Sequence, residues 1–168
     1  MEMLAGDLEA AEYEMRAALA IHEDIGATRY AAMVRAHLAH VLLAQGRHDD
    51  AVAMIDSSLA IGADAGTRFE VYWRTARAKA LVGIEKAAEA VRLGREAVEI
   101  VGRTDRLNLH AEALAWLAEV LEASGDRARA ITALDDARRL FERKGNPLMA
   151  ERTREASARL AEGIETAS

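Results

Sequence analysis

The amino-acid sequence predicts an all-α fold, in which antiparallel helices pair and stack into a right-handed α–α superhelix. Three observations support this fold class: an internal repeat of about 40 residues, a composition rich in alanine, and glycines at the spacing of helix ends. Alanine is the strongest helix former, and the single proline, Pro147, leaves most of the 168 residues without a helix breaker. We therefore expect a single domain over residues 1-168, with about eight helices.

The repeat is visible as four segments that align without gaps. Their first residues are 40, 39 and 40 positions apart (51−11, 90−51 and 130−90). Each segment carries a small residue in its middle and a branched apolar residue at its end, a spacing that places both on one face of a helix. The four segments are Ala11–Ile21, Ala51–Ile61, Ala90–Ile100 and Ala130–Leu140.

A second helix precedes each segment, and a tight turn joins the two helices. Leu38 and Leu117 share one column of this helix, and Gly46 and Gly125 follow at its end, as Gly6 does before the first segment. Glycine ends helices because it adopts the left-handed backbone conformation at little steric cost. The predicted helices cover residues 7–25, 29–45, 47–64, 68–83, 86–102, 107–124, 126–144 and 148–162.

Start and stop signals divide the chain into units. Residues with side chains that can cap a helix mark the predicted starts, at Thr28, Thr67, Thr104 or Asp105, and Asn146. Glycines mark the predicted stops, at Gly26, Gly66, Gly102 and Gly145. The predicted units are about 1-26, 27-66, 67-104 and 105-145, with a terminal helix at 146-163. Because the chain opens in mid-unit, we expect it to be a piece of a longer protein.

These columns resemble the tetratricopeptide repeat (TPR). The residues that carry the resemblance are Leu38-Ala39, Leu42, Gly46, Ala51 and Ser58-Leu59 in one unit, and Leu117-Ala118, Leu121, Gly125, Ala130 and Ala137 in another. It covers nearly the whole chain, with a period of about 40 residues where about 34 is usual. That length is similar to the repeats in C-terminal sensor regions of bacterial signalling ATPases and transcription regulators. The resemblance implies a solenoid that binds other molecules.

The third unit departs from the repeat pattern. Glu85 stands where glycine is expected and Arg77 where leucine is expected, so Gly83 is expected to end that helix early. Gly94 replaces a bulky residue, which predicts loose packing or a space filled by a neighbour such as Trp73. Repeat drift is one interpretation of these changes, and a pocket or hinge is the other.

The first helices of the pairs are expected to line a concave groove that binds a protein segment or peptide. The groove is predicted to change from apolar to acidic along the chain, which suits an amphipathic helix or a peptide with a basic end. Met33 and Tyr72 are the expected anchors, whereas Trp73 and Trp116 are expected to pack between helices. An ordinary solvated face is the alternative interpretation. The predicted groove residues are Met33, His40, Tyr72, Thr75, Lys79, Glu112 and Glu119.

Side chains that carry chemistry are sparse, which predicts a protein without catalytic residues, cofactor or metal site. The chain has no cysteine, and no glycine-rich loop with the lysine that cradles a phosphate. His37 and His40 lie three residues apart on one helix but lack further ligands. Arg74, Arg77 and Lys79 form a small basic cluster, which is interpreted either as a phosphate site or as a set of ion pairs. The carboxylates in reach of such pairs would be Glu70, Glu112 and Glu119.

Charge and hydropathy narrow the class of partner. The net charge of −6 argues against nucleic acid, and no apolar run is long enough to cross a bilayer. We therefore expect a protein or peptide partner and a cytoplasmic location. Two alternatives stay open. One is a sensor or regulatory domain of a larger bacterial signalling ATPase or transcription regulator. The other is a self-association scaffold, a homodimer joined through exposed repeat ends at residues 1–20.

Overall fold

The computed structural model describes residues 7–62, 65–82 and 86–165, with side chains to residue 162. These residues form helices joined by turns and no strand, which confirms the all-α fold class. Neighbouring helices pack against each other as in a helical repeat. The helices are α1 (Leu8–Asp24), α2 (Thr28–Ala44), α3 (His48–Leu59), α4 (Thr67–Val82), α5 (Ala87–Gly102), α6 (Leu107–Ala123), α7 (Arg127–Lys144) and α8 (Pro147–Glu165).

Every described helix begins within one residue of its predicted start, and the largest error lies at the end of α3. This helix ends at Leu59, whereas the sequence predicts residue 64. The chain that follows α3 approaches α4 so closely that a Cβ atom on Gly62 would overlap the ring of Phe69. Only glycine fits against that ring, and hydrophobic periodicity alone could not show this contact.

Two of the predicted glycine stops follow helix ends: Gly26 after α1 and Gly145 after α7 have φ angles of 67° and 75°, in the left-handed region that a Cβ atom disfavours. Gly66, with a φ of 83°, lies directly before α4 and does not end α3, whose cap is Ala60. Gly102 differs, because it is the last residue of α5 and Arg103 caps the helix with a φ of −82°. The predictions made for Gly6, Gly83 and Glu85 lie outside the described residues.

The helix starts correct the predicted caps by one or two residues. Thr28 and Thr67 are the first residues of their helices, and Arg106, not Thr104 or Asp105, occupies the cap of α6. The cap of α2 is Ala27, whose side chain cannot accept a hydrogen bond from the helix. Asn146 is confirmed as a cap, since its side-chain oxygen accepts a hydrogen bond of 3.3 Å from the Met149 amide.

The chain divides into two compact units, an N-terminal unit (Met1–Ala80) and a C-terminal unit (Leu81–Ser168). In the N-terminal unit α1 packs on α2 and α2 on α3. One apolar cluster joins these helices, and it includes Leu38, Leu42 and Ile55. A second cluster joins α2 to the first turn of α4 through Ala36 and Phe69. That second cluster fixes the start of α4 against α2, which positions the pocket described below.

In the C-terminal unit α5, α6, α7 and α8 pack in chain order around one continuous apolar cluster. Gly94 lies within this core, where a Cβ atom would come 2.8 Å from Leu117 Cδ1. The space that a larger residue would occupy is therefore filled by Leu117. The expectation of loose packing around Gly94 is wrong, because α5 and α6 approach closely at this point. The alternative, a space filled by a neighbour, is confirmed, although the neighbour is Leu117 and not Trp73.

Candidate functional site

An open pocket of about 420 Å³ lies at the first turns of α2 and α4 in the N-terminal unit. Its volume falls within the usual range for ligand sites, about 300–1,000 Å³. We call this the basic pocket, because two of its five lining side chains are arginines. The lining residues are Arg29, Tyr30, Met33, Ala65 and Arg68.

The repeat places the two arginines at equivalent positions. Each is the second residue of its helix, and the dipeptides Thr28-Arg29 and Thr67-Arg68 are 39 residues apart (67−28). Successive repeats set equivalent residues side by side on neighbouring helices. The Arg29 guanidinium reaches the start of α4, where its Nη2 would lie 3.8 Å from a Cβ atom on Gly66. The local fold therefore directs both positive charges to one opening.

Arg29 and Arg68 differ from the other arginines of the N-terminal unit in their ion pairing. The other five arginines among residues 1–80 each pair with a carboxylate, and they are Arg16, Arg35, Arg47, Arg74 and Arg77. No carboxylate among residues 7–62, 65–82 and 86–162 forms an ion pair with Arg29 or Arg68. Within the described residues the two positive charges of the basic pocket are therefore not neutralised by an ion pair, in a chain whose net charge is −6.

The position of these arginines within their helices opposes helix stability. The first turn of a helix carries a partial positive charge, so a basic side chain there costs stability where an acidic one would stabilise. The first turn of α2 contains no acidic residue. The acidic residue in the first turn of α4, Glu70, accepts hydrogen bonds from Arg74 and from Trp73 Nε1. Two arginines at unfavourable positions are typical of residues kept for binding.

The wall of the basic pocket is apolar and partly rigid. Tyr30 is 66% exposed, and its ring stacks on the His22 ring with centroids 5.4 Å apart. Met33 is half-buried and packs against the cluster that contains Ala36 and Phe69. An exposed aromatic ring beside a flexible thioether is the composition of a binding hot spot.

Two of the predicted groove residues lie in the interior of the N-terminal unit. His40 is 2% exposed and Thr75 is 1% exposed. The His40 Nε2 atom lies 3.1 Å from the Tyr72 carbonyl oxygen and 3.0 Å from Thr75 Oγ1, while the Thr75 hydroxyl donates to the Val71 carbonyl oxygen at 2.9 Å. The prediction that His40 and Thr75 line a groove is therefore corrected: they join α2 to α4 beneath the surface.

Burial keeps the two histidines of α2 neutral. Burial, together with the positive charge of Arg68, lowers the pKa of His37 to about 4. Burial also holds the pKa of His40 well below its usual value, with Lys79 acting in the same direction. The His37 ring meets the Tyr72 ring edge-on, with centroids 3.8 Å apart. The two imidazole rings pack between α2 and α4, and they do not bind a proton near neutral pH.

Among the remaining predicted groove residues, Tyr72, Lys79 and Glu112 are half-buried, whereas Glu119 is exposed. Tyr72 is half-buried against the two histidines, and it does not line the basic pocket. Lys79 on α4 and Glu112 on α6 are also half-buried. Among the predicted groove residues, Met33 lines the basic pocket and Glu119 lines a pocket of the C-terminal unit.

That second pocket, of about 470 Å³, lies between α6, α7 and α8. Glu119 and Glu122 line it from α6, and Arg152 and Arg159 line it from α8. The remaining lining is mostly apolar, and it includes Met149. We call it the mixed pocket. The predicted acidic end of the groove is corrected, because α8 brings two arginines to the same opening as the two glutamates.

The two arginines of the small basic cluster predicted on α4 form ion pairs. Arg74 pairs with Glu70, and its guanidinium carbon lies 4.2 Å from the centre of the Trp73 ring. Arg77 pairs with Asp56 of α3 at 2.9 Å. The interpretation of Arg74 and Arg77 as ion-pair residues is therefore supported for this unit. Trp73 also packs against the Phe69 cluster, as expected of a packing residue.

Other chemistry has little geometric support in the part of the chain that the structure describes. No three His, Asp or Glu side chains come together there in a way that could hold a metal ion. In the same residues, no helix combines the length and hydropathy needed to cross a membrane.

Comparison with known proteins gives no relative from which a function could be transferred: no protein-family model matches this sequence, and no curated protein does. Function is therefore inferred from the two pockets. The sequence pattern did not identify Arg29, Tyr30 and Arg68 as site residues. The recurrence of Thr-Arg after one repeat period was the signal that could have identified the two arginines.

Proposed function

We propose that this chain is a non-catalytic interaction module that binds a peptide or protein segment, with the basic pocket as its principal contact in the N-terminal unit. The observation that supports the proposal is the composition of that pocket. An exposed tyrosine, a flexible methionine and two arginines without carboxylate partners among the described residues line one opening. Tyrosine and arginine dominate the residues that contribute most to binding energy.

Packing makes this binding largely preorganised. The Phe69 cluster and the His40–Thr75 hydrogen bond fix α4 against α2, so the pocket wall exists before a ligand arrives. Preorganisation lowers the entropic cost of binding and leaves the exposed side chains to select the ligand. A sensor or regulatory domain of a larger signalling protein would use the same binding step.

Selection of peptides from a random displayed library, with the purified chain as target, tests this function. Enriched peptides are then measured by fluorescence anisotropy against the wild type and against Tyr30→Ala with Met33→Ala. Tyr13→Ala is the matched control, because Tyr13 is 77% exposed on α1 and lies outside the pocket. We expect the pocket variant to weaken binding at least tenfold, about the effect of losing one hot-spot residue, and the control to bind as the wild type does.

Helicity by circular dichroism should be unchanged in both variants, since Tyr13 and Tyr30 are exposed and Met33 is only half-buried. Enriched peptides that bind the pocket variant as tightly as the wild type would contradict the proposed site. A library that yields no specific peptide would contradict peptide binding itself.

Self-association is a second candidate, because three large apolar side chains are exposed along α1 and its end. Tyr13, Ile21 and Ile25 are 77%, 62% and 67% exposed. Sedimentation equilibrium on the wild type and on Ile21→Glu tests this alternative. A dimer that the substitution converts to a monomer would support it, and a monomer at high concentration would exclude it.

A further inference from the structure

We infer that the basic pocket recognises an oxyanion, a carboxylate or phosphoryl group, carried on an apolar or aromatic part of the bound segment. This inference rests on the proposed function and names the chemistry of its ligand. It reverses the expectation from the sequence, which was a peptide with a basic end. The observations that support it are the pairing of the arginines, their place on the helices and the lining of the pocket.

The pairing of the arginines is selective. Five of the seven arginines in the N-terminal unit pair with carboxylates, and the two that do not, among the described residues, line the same pocket. The chain has 28 acidic residues for 22 basic ones, so carboxylates are abundant elsewhere. A ligand oxyanion would supply the counter-charge that Arg29 and Arg68 do not find among residues 7–62, 65–82 and 86–162.

The helix geometry adds to the positive potential. The first amides of a helix have no acceptor within the helix, and they carry the positive end of its dipole. Arg29 and Arg68 extend from the first turns of α2 and α4, so helix ends and guanidinium groups favour the same sign of ligand. Arginine binds carboxylate and phosphoryl groups with paired, charge-assisted hydrogen bonds.

The other lining residues of the basic pocket indicate which chemical group carries the oxyanion. Tyr30, Met33 and Ala65 offer an aromatic ring, a thioether and a methyl group beside the two arginines. An ion surrounded by water would gain nothing from these surfaces, whereas a phenyl or alkyl group that bears the charge would remove apolar area from water. We therefore expect an amphiphilic anion to bind better than inorganic phosphate.

Isothermal titration with four small probes tests the inference directly. The probes are 3-phenylpropionate, its neutral isostere 3-phenylpropionamide, phenyl phosphate and inorganic phosphate. We expect at least one of the two amphiphilic anions to bind about tenfold more tightly than the amide, because two charge-assisted interactions are lost in the neutral probe. The preference should shrink on going from about 20 mM to 500 mM NaCl, since salt screens exposed charges. The comparison of the carboxylate with phenyl phosphate distinguishes the two sources of the oxyanion.

Variants assign the effect to the pocket. Arg29→Gln with Arg68→Gln should reduce binding of the amphiphilic anions to that of the amide. Arg16→Gln with Arg77→Gln removes the same charge from the same unit at two arginines outside the pocket, and it should leave the preference intact. An amide that binds as well as both anions would overturn the inference, and so would equal losses in the two double variants.

Failure of the inference is distinguishable from failure of the proposed function. Displayed peptides that depend on Tyr30 and Met33, together with probes that show no preference for the anion, would leave an interaction module without oxyanion recognition. An arginine-dependent preference for the anion, together with no enriched peptide, would support the oxyanion site and contradict peptide binding.

Discussion

The N-terminal and C-terminal units differ in how they accommodate polar groups. In the N-terminal unit three polar side chains, His40, Ser58 and Thr75, are buried, and the arginines of the basic pocket lack carboxylate partners among the described residues. Among the polar side chains in the described part of the C-terminal unit, only Thr153 is buried. The mixed pocket there contains charges of both signs.

This difference indicates different roles for two stretches of one repeat. A buried polar network fixes one arrangement of helices but contributes little net stability. Unfavourable charges at helix starts also reduce stability. The N-terminal unit is therefore expected to be less stable and to hold the binding site, whereas the C-terminal unit has the continuous apolar core. Trp73 and Trp116, one in each unit, allow the two to be followed separately by fluorescence.

The largest effect is expected for Leu117→Ala in the C-terminal core. Removing this side chain should destabilise the unit by roughly 2–5 kcal/mol, the usual cost of emptying a leucine site. Gly94→Ala in the same chain should recover about 1 kcal/mol, because alanine favours the helix more than glycine and its methyl group fills part of the space that Leu117 leaves. Urea unfolding followed by Trp116 fluorescence in a Trp73→Phe background measures both changes.

If Leu117→Ala lowered the free energy of unfolding equally with glycine and with alanine at position 94, that result would contradict the close contact between α5 and α6. A loss below about 1 kcal/mol for Leu117→Ala would place this residue outside the core.

Acid should destabilise the N-terminal unit through His37. The pKa of His37 in the folded chain, about 4, lies below the ordinary histidine pKa of 6.5, so the unfolded chain takes up the proton first as the pH falls. The stability that the neutral ring provides is complete above pH 6.5, and it decreases from there to about pH 4, by roughly 3 kcal/mol. His37→Phe keeps an aromatic edge against Tyr72 and cannot titrate, so its stability should depend less on pH over this range.

Urea unfolding at several pH values, followed by Trp73 in a Trp116→Phe background, measures this dependence. The same pH dependence in His37→Phe and in the wild type would show that the histidine is not kept neutral in the fold.

A helix cap that stabilises the C-terminal unit can be introduced into the N-terminal unit by substitution. The Asp126 side chain accepts a hydrogen bond of 3.2 Å from the Arg129 amide at the start of α7, so Asp126→Ala should cost about 1 kcal/mol. Ala27 has nearly the same backbone angles, φ −80° and ψ 64° against φ −93° and ψ 65°. Ala27→Asp should therefore stabilise α2 by a similar amount.

The same substitution brings a carboxylate to the edge of the basic pocket, so it should also weaken binding of phenyl phosphate. Thermal unfolding and titration of the two variants check the two effects. Unchanged stability in Ala27→Asp would mean that α2 does not accept the cap.

The smallest effect is expected for the pocket arginines. Arg29→Gln and Arg68→Gln should each stabilise the N-terminal unit by about 0.3–1 kcal/mol at low salt, because each removes a positive charge from the first turn of a helix. Urea unfolding at about 20 mM and 500 mM NaCl measures the gain, which should decrease as salt screens the charge. Destabilisation by either substitution would show that these arginines serve the fold and would remove the contrast between the units.

The positions of the helices followed from the sequence because their signals are local. Repeat columns and glycines gave every described helix start to within one residue. The cap residues were less accurate, since the choice between Ala27 and Thr28 depends on backbone angles that residue type does not reveal. The end of α3 was the least accurate boundary, and the chain beyond it makes a contact between Gly62 and Phe69 that no local signal shows.

The candidate site followed much less from the sequence. A period of 3.6 residues identifies the apolar face of a helix, but it does not show whether His40 turns to the groove or to the neighbouring helix. Met33, predicted as an anchor of a groove, lines the basic pocket. Arg29 and Arg68 were not, because a repeat shows which residues are equivalent and not which of them find an ion-pair partner.

By itself, the sequence determined the helices, their order and their repeat, because propensity, hydrophobic period and glycine turns act over a few residues. Tertiary structure decided which polar residues are buried, as for His40 and Thr75. It also decided which charges are neutralised, because pairing depends on distances between side chains that the chain brings together only when the helices pack. The charge of the basic pocket is such a property, since Arg29 and Arg68 meet across two helices.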